Sequence, residues 1–150
     1  MPVTTTVHVD GLRQLGEAMR ELSQDIALKV AAQATAAGAQ VVKKQYKRNL
    51  IANPSIDTGL VEKNIIVKKL PKSQTQLTAE HVVTVRKKVY PANSEQGKRN
   101  SRKVASFLEF GTVRMKPEPG LASAFRSQKE VAAKAIEDKL RKRIEAVKPK

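Results

Sequence analysis

The tripeptide Asp57-Thr58-Gly59 is the first place in the chain where residue types suggest chemistry, because aspartic proteases carry their catalytic carboxylate on the same three residues. That chemistry needs two carboxylates close enough to share a proton, so that one activates water while the other polarises the scissile carbonyl. The chain has one such tripeptide, which a homodimer could complete. However, the catalytic loop should follow an apolar strand, and here Asn53-Pro54-Ser55 precedes it. We therefore interpret Asp57 as the cap of a short turn over residues 58–64, with Gly59 allowing a close backbone approach.

Other catalytic constellations are missing from the sequence. The two histidines, His8 and His81, are far apart in the chain, and each falls on a predicted strand. The absence of cysteine excludes thiolate nucleophiles and disulfides. No glycine-rich phosphate loop, nucleophile elbow or set of residues with metal-ligand spacing occurs. The sequence therefore predicts a protein that is not an enzyme and that needs no cofactor or metal.

The net charge is the strongest signal in the composition. The 29 Lys and Arg residues against 14 Asp and Glu give a formal charge of +15, which creates a field that attracts polyanions. Nucleic acid or an acidic protein surface is the expected partner. The basic residues that we consider candidates for docking form three groups along the chain: Lys43, Lys44, Lys47 and Arg48; Arg86, Lys87 and Lys88; and Lys98, Arg99, Arg102 and Lys103.

The first half of the chain is dominated by helical patterns. Residues 3–9 alternate between apolar and polar and predict a strand, after which Asp10 can cap a helix. Apolar residues then recur every three or four positions, which predicts helices over about 11–22 and 24–49 with a break at Ser23. Residues 30–42 are rich in Ala and include Gly38, so another backbone can approach closely. The approaching element is either the protein's own sheet or a neighbouring subunit.

The second half mixes strands and helices. Strands are predicted at 65–70 and 81–90, joined by a polar hairpin connection, with Val83, Val85 and Val89 sharing one face of the second strand. Residues 91–101 form a predicted flexible loop. A helix over about 102–109, capped by Ser101 and stopped by Gly111, precedes a final helix over about 120–146 and a basic tail at 147–150.

These elements predict one domain over residues 1–150 in the α+β class. We expect a small antiparallel sheet of three to four strands, packed against a long helix from the N-terminal half and a C-terminal helix. No apolar run approaches the roughly 20 residues of a membrane span, and the first residues lack the pattern of a secretory leader, so no membrane partner is expected.

All three phenylalanines lie between residues 107 and 125. In a chain with 3% aromatic residues, this concentration predicts a turn that seals the core before the last helix. Glu109 lies between Leu108 and Phe110, and an unpaired buried carboxylate is costly. We therefore expect Glu109 to pair with a Lys or Arg, either within the subunit or across an interface.

Read together, these segments resemble a known family. The resemblance runs from about residue 7 to residue 145 and rests mainly on Asp57, Thr58, Gly59, Phe107, Leu108, Glu109, Phe110, Gly111, Thr112, Met115 and Pro119. The chain is similar to the small neck proteins of long-tailed bacteriophages, which are described as head-to-tail joining, tail completion or minor tail proteins. It departs from their usual pattern at Gly120, where Phe is common, and at Ser123, where Pro is common.

The resemblance implies a structural protein of the virion that is assembled in the cytoplasm of the bacterial host. It implies an α+β fold and a homo-oligomeric ring, expected to be a hexamer, between the head connector and the tail. The partners would be other copies of the chain and the neighbouring connector and tail proteins. The end of the tape-measure protein, or DNA in the channel, could also contact the basic groups.

A basic nucleic-acid-binding module is the alternative function, and it explains the charge of +15 directly. The scarcity of aromatic residues for base stacking weakens it, as does the lack of a helix-turn-helix, zinc or RNA-binding motif. Both functions remain open from the sequence.

Overall fold

A computed structural model describes residues 11–53, 59–71, 79–89 and 100–147. The elements, in chain order, are α1 (Leu12–Arg20), α2 (Gln24–Ala52), α3 (Leu60–Lys63), β1 (Ile65–Lys69), β2 (His81–Val85), α4 (Ser101–Phe110) and α5 (Gly120–Val147). Residue contacts group the chain into two compact units. The first unit contains residues 1–41, 69–82 and 129–150, and the second contains residues 42–68 and 83–128.

The core of the first unit is an apolar cluster between helices. Leu15, Val30 and Ile144 are buried, and the partly buried side chains of Ala18, Met19, Leu22 and Leu140 pack against them. The periodic apolar positions of α1 thus face the same cluster as those of α2 and α5. The break between α1 and α2 falls at residues 21–23, as the sequence predicts, while the predicted cap Asp10 lies outside the described residues.

The small residues of α2 bring it close to α5 within the first unit. Ala34 is fully buried, and a Cβ placed on Gly38 would lie 2.6 Å from Cγ1 of Ile136 and 3.2 Å from the carbonyl oxygen of Ala132. At Gly38 the contact is therefore with a helix of the same chain, which the sequence did not predict. The predicted approach of the sheet is also present in this stretch, since Nδ1 of His81 in β2 lies 2.8 Å from the Thr35 hydroxyl, and a subunit contact stays a prediction.

The strands β1 and β2 form a two-stranded antiparallel sheet. The pairing is flanked by hydrogen bonds from the Leu70 N–H to the Glu80 carbonyl and from the Arg86 N–H to the Asn64 carbonyl. The α+β class is therefore confirmed, but the sheet has fewer strands than the three to four predicted. The predicted strand over 3–9 and the hairpin residues 72–78 lie outside the described residues.

The strand β2 ends at Val85 because Ser101 takes over the hydrogen bonding of the following backbone. The fully buried hydroxyl of Ser101 accepts from the Lys88 N–H at 2.9 Å and donates to the Arg86 carbonyl at 2.5 Å. The Ser101 N–H donates to the Lys88 carbonyl. The predicted extension of β2 to residue 90 is therefore wrong over 86–88, and Val89, predicted to share a face with Val85, is 60% exposed.

The helix α4 begins one residue earlier than predicted, and its cap is different. The side chain of Asn100, not Ser101, accepts a hydrogen bond from the Lys103 N–H. The predicted flexible loop therefore overlaps described structure at Asn100 and Ser101, while residues 91–99 lie outside the description. The predicted stop at Gly111 and the predicted final helix are both present, and residues 148–150 of the basic tail lie outside.

Candidate docking surface

The second unit carries most of the positive charge of the described chain. Its described residues include 14 Lys and Arg against three Asp and Glu, a net +11. The described residues of the first unit include 10 Lys and Arg against eight Asp and Glu, a net +2. Charge is therefore concentrated on one of the two units, which the spacing of basic residues along the sequence did not reveal.

The basic residues 86–88 and those at the start of α4 come together. The hydrogen bonds of Ser101 fix residues 86–88 beside the first turn of α4, and the Arg102 Nε donates to the Val85 carbonyl at 3.1 Å. The side chains concerned, all of them predicted docking residues, are exposed: Arg86, Lys87, Lys88, Arg102 and Lys103. The predicted residues Lys98 and Arg99 lie outside the described structure.

The remaining predicted docking residues lie on the last turns of α2. Lys44, Lys47 and Arg48 are exposed, and Lys43 is half-buried. Among the described cations of the second unit, Lys47 alone forms an ion pair, with Glu62 of α3 at 3.7 Å. The docking role of these residues stays a prediction.

The three described acids of the second unit are all engaged inside it. Glu62 pairs with Lys47, and Glu118 accepts a hydrogen bond from the Asn53 side chain at 2.5 Å. Glu109 accepts from the backbone N–H groups of Leu121 at 3.0 Å and Ala122 at 2.8 Å. Of the three, Glu62 alone pairs with a cation among the described residues, so most of the exposed cations of this unit have no carboxylate in contact.

Glu109 caps α5, which the sequence did not predict. We expected a Lys or Arg partner, and the described structure gives it none. Instead its carboxylate satisfies two of the first-turn N–H groups that a helix leaves unpaired, and it lies at the positive end of the helix dipole. Because Glu109 belongs to α4, the cap ties the end of α4 to the beginning of α5.

Tyr46 packs beneath this cap and was not singled out from the sequence. Its ring is buried, and a Cβ on Gly120 would lie 3.2 Å from its Cε2 atom. The tyrosine of α2 thus occupies the space into which a side chain at position 120 would project, so glycine suits this position in this chain. Burial, and secondarily the charge of Glu109, raise the pKa of Tyr46 to about 12. The sequence did contain a signal for the burial of Tyr46, because it lies four residues after Val42 and four before Leu50, on the same buried face of α2.

A tight turn follows α4. Gly111 has φ 73° and ψ −178°, and a Cβ there would lie 2.7 Å from the Met115 carbonyl oxygen. Thr112 and Met115 exchange backbone hydrogen bonds of 2.9 and 3.2 Å, which leaves Val113 and Arg114 at the end of the turn. Only glycine readily adopts this backbone conformation, so Gly111 is required by the turn itself.

The sequence predicts that the phenylalanines seal the core, but in the structure none of the three is buried. Phe110 is 79% exposed and Phe125 is 44% exposed, while Phe107 is half-buried. Val113 is fully exposed. The buried residues of this segment are Ala105, Leu108 and Ala124, whose smaller side chains fit between the helices. Phe110 and Phe125 are therefore accessible on the surface of the single chain.

The other motif residues are divided between described and undescribed parts. Asp57 and Thr58 lie outside the described residues, so the predicted Asp57 cap has no structural account. Gly59 precedes α3 with φ 62° and no side-chain capping bond. Of the motif residues after Gly111, Thr112 and Pro119 are exposed and Met115 is half-buried.

His81 makes a local structural contact in the first unit. Its Nδ1 atom lies 2.8 Å from the Thr35 hydroxyl, and burial, together with the charge of Lys69, lowers its pKa. In the described part of the chain, His, Asp and Glu side chains form no group of three that could hold a metal ion. No described helix is long and apolar enough to cross a membrane.

Comparison with known proteins identifies a family. The sequence pattern of the HK97-gp10-like family, described as "Bacteriophage HK97-gp10, putative tail-component", matches residues 13–111. No curated protein and no solved structure matches the chain. The matched range runs from the second residue of α1 through α4 and ends at Gly111, so α5 lies beyond it. Because the match spans most of the chain, this protein belongs to the HK97-gp10-like family of bacteriophage tail components.

Proposed function

We propose that the protein is a non-enzymatic structural component of the virion that joins the head connector to the tail, or completes the tail end, as an oligomeric ring. The observation that carries this proposal is the family match over residues 13–111. A joining protein must present surfaces to several neighbours, and two features support this. The second unit exposes unpaired cations, and the turn after α4 exposes large apolar side chains.

Each feature suits a contact that forms during assembly. Exposed cations steer association with acidic surfaces over distances of about a Debye length, roughly 8 Å at physiological salt. Exposed apolar side chains then contribute binding free energy when they are buried. In this proposal the ring, expected to be six-fold, holds neighbouring copies together and its basic surface faces the connector or tail.

The experiment is electron microscopy of particles from a phage or prophage in which the gene for this chain is interrupted. DNA-filled heads that accumulate apart from tails would support the joining role, and supplying the intact chain from a plasmid should restore whole particles. Normal infectious particles in the absence of the chain would reject the proposal.

Nucleic-acid binding is a second candidate, favoured by the net +11 of the described second unit. Duplex DNA requires no aromatic stacking, so the scarcity of aromatic residues does not oppose contact with a phosphate backbone. Gel-shift titrations over a series of salt concentrations test it. Binding with a steep salt dependence, weakened by Lys87→Glu and Lys88→Glu but unaffected by Lys134→Glu in the first unit, would support it. A lack of binding at moderate salt would leave protein neighbours as the partners.

A further inference from the structure

The end of α4 and the turn that follows it present an apolar projection. Phe110 is 79% exposed and Val113 is fully exposed, and we call these two residues the apolar tip. The tip is held in place by the paired hydrogen bonds of Thr112 and Met115 and by the backbone of Gly111. Because the backbone of the turn is already hydrogen-bonded, a partner that covers the tip would not need to order that backbone.

The first unit contains a surface that such a projection could fill. A groove of about 310 Å³ lies where α1 meets α2, and we call it the α1–α2 groove. Arg20 and Gln24 lie at its polar edge, and its apolar lining consists of Met19, Leu22, Ala27, Leu28 and Ala31. The groove thus offers mainly aliphatic contacts to an incoming aromatic or branched side chain.

The net charges of the two units favour contact between the apolar tip and the first unit of another copy. The apolar tip is accompanied by the cations Arg114 and Lys116, and it belongs to the described unit with a net +11. Two second units brought face to face would repel each other strongly. The first unit, with a net +2, carries eight of the 11 described acids, including the exposed Glu21 and Asp25 beside the groove residues. For a tip that belongs to the second unit, contact with the first unit of a neighbouring copy is therefore favoured over contact with its second unit.

We propose that the apolar tip of one copy docks in the α1–α2 groove of a neighbouring copy, with Arg114 and Lys116 near the acids at the groove. The proposal rests on the ring of the proposed function and names the two surfaces that build it. Because the two surfaces differ, each copy donates a tip and accepts one, and repetition of the contact gives a closed ring or an open chain of copies. If the tip of a neighbouring copy fills the α1–α2 groove, a different tail protein or nucleic acid is not the occupant of that groove.

Site-directed cross-linking tests the contact directly, since the chain has no cysteine. One preparation carries Val113→Cys and a second, distinguishable in mass, carries Ala27→Cys. On oxidation of the mixture we expect a disulfide between the two variants and none within either variant alone. A mixture of Ala27→Cys with Val131→Cys, which alters another exposed valine, is the matched control and should not cross-link.

The outcomes separate this interface from the ring itself. Cross-linking of Val113→Cys to itself would show a like-to-like contact and overturn the proposal. Failure of the mixture to cross-link, while sedimentation shows that the native chain forms oligomers, would overturn the interface and leave the ring standing. A native chain that stays monomeric at every concentration would reject the ring and the interface together.

A second measurement avoids cysteine chemistry. Phe110→Ser should weaken self-association, measured by sedimentation equilibrium, by roughly ten-fold or more, because a central aromatic contact is lost. Phe125→Ser, which alters an aromatic residue that is 44% exposed on α5, is the matched control and should change association little. Equal effects of the two substitutions would overturn the specific role of the tip.

Discussion

The cap that Glu109 places on α5 supports a quantitative prediction. Its carboxylate accepts two backbone hydrogen bonds, of 2.8 and 3.0 Å, from the first turn of a 28-residue helix. A hydrogen bond to a charged group contributes about 1.5–3 kcal/mol, and removal of a helix cap costs about 0.5–2 kcal/mol. Glu109→Gln keeps one carbonyl acceptor, so we expect a loss of about 1.5 kcal/mol in the free energy of unfolding. Glu109→Ala removes both acceptors and should lose about 3 kcal/mol.

The assay is urea denaturation followed by far-ultraviolet circular dichroism, at concentrations where the chain is monomeric. Thermal denaturation gives a second readout. For a chain of this size, the loss of about 1.5 kcal/mol expected for Glu109→Gln corresponds to a fall of roughly 3 to 6 °C in the thermal midpoint. Glu130→Gln, which neutralises an exposed acid on the same helix, is the control and should change stability by less than about 0.5 kcal/mol.

Tyr46 provides an independent readout of the same carboxylate. Burial is the larger cause of its raised pKa and the charge of Glu109 the smaller one. In a Tyr90→Phe background, titration of the tyrosinate absorbance should show the pKa of Tyr46 moving down from about 12 in Glu109→Gln while remaining above 10.0. Unchanged stability in both Glu109 variants would refute the capping role. A Tyr46 pKa that is the same with and without the carboxylate would refute their electrostatic contact.

Three further predictions concern the backbone and one titrating group. Gly111→Ala should lower the free energy of unfolding by about 3 kcal/mol or more, checked by urea denaturation, because alanine at φ 73° is strained and its Cβ would meet backbone atoms. Gly38→Ala should cost about 1–3 kcal/mol in the same assay, since its Cβ would lie 2.6 Å from Ile136, and a midpoint equal to wild type would contradict the close approach of the helices. Burial and Lys69 lower the pKa of His81, so the unfolded chain binds the proton more tightly. The free energy of unfolding should therefore fall as the pH drops below about 6.5. Thermal midpoints measured across this pH range should decrease less for His81→Gln than for the native chain.

The helices were predictable because their apolar positions repeat at helical spacing. The bounds of α2 and α5 lie within three residues of the sequence prediction, and Gly111 was recognised as the stop of α4. Backbone propensity and periodicity are local properties, and these elements follow from them. The two strands on either side of a polar connection were also predicted and they pair, although the predicted range of the second strand was too long.

The failures share a different physical cause. Ser101 was assigned as a cap because Ser often begins helices, yet its hydroxyl bonds to Arg86 and Lys88 from another segment. Glu109 was expected to have a cationic partner within the subunit or across an interface, yet within the described chain helix N–H groups satisfy it. A sequence shows which polar groups need partners, but the choice among partners depends on which segments the tertiary structure brings together.

The segment from Leu108 to Gly111 shows how folding and assembly requirements can be separated residue by residue. Leu108 is buried, Glu109 caps α5, and Gly111 allows the turn, so the stability of a single chain explains all three. Phe110 lies between them and is 79% exposed, although burial of a side chain of this kind contributes about 1.5–3 kcal/mol. A single chain gains little of that free energy, and a polar residue at this helix end would serve the fold as well. The stability of a single chain therefore does not account for Phe110, and the docking that we propose for the apolar tip would bury it.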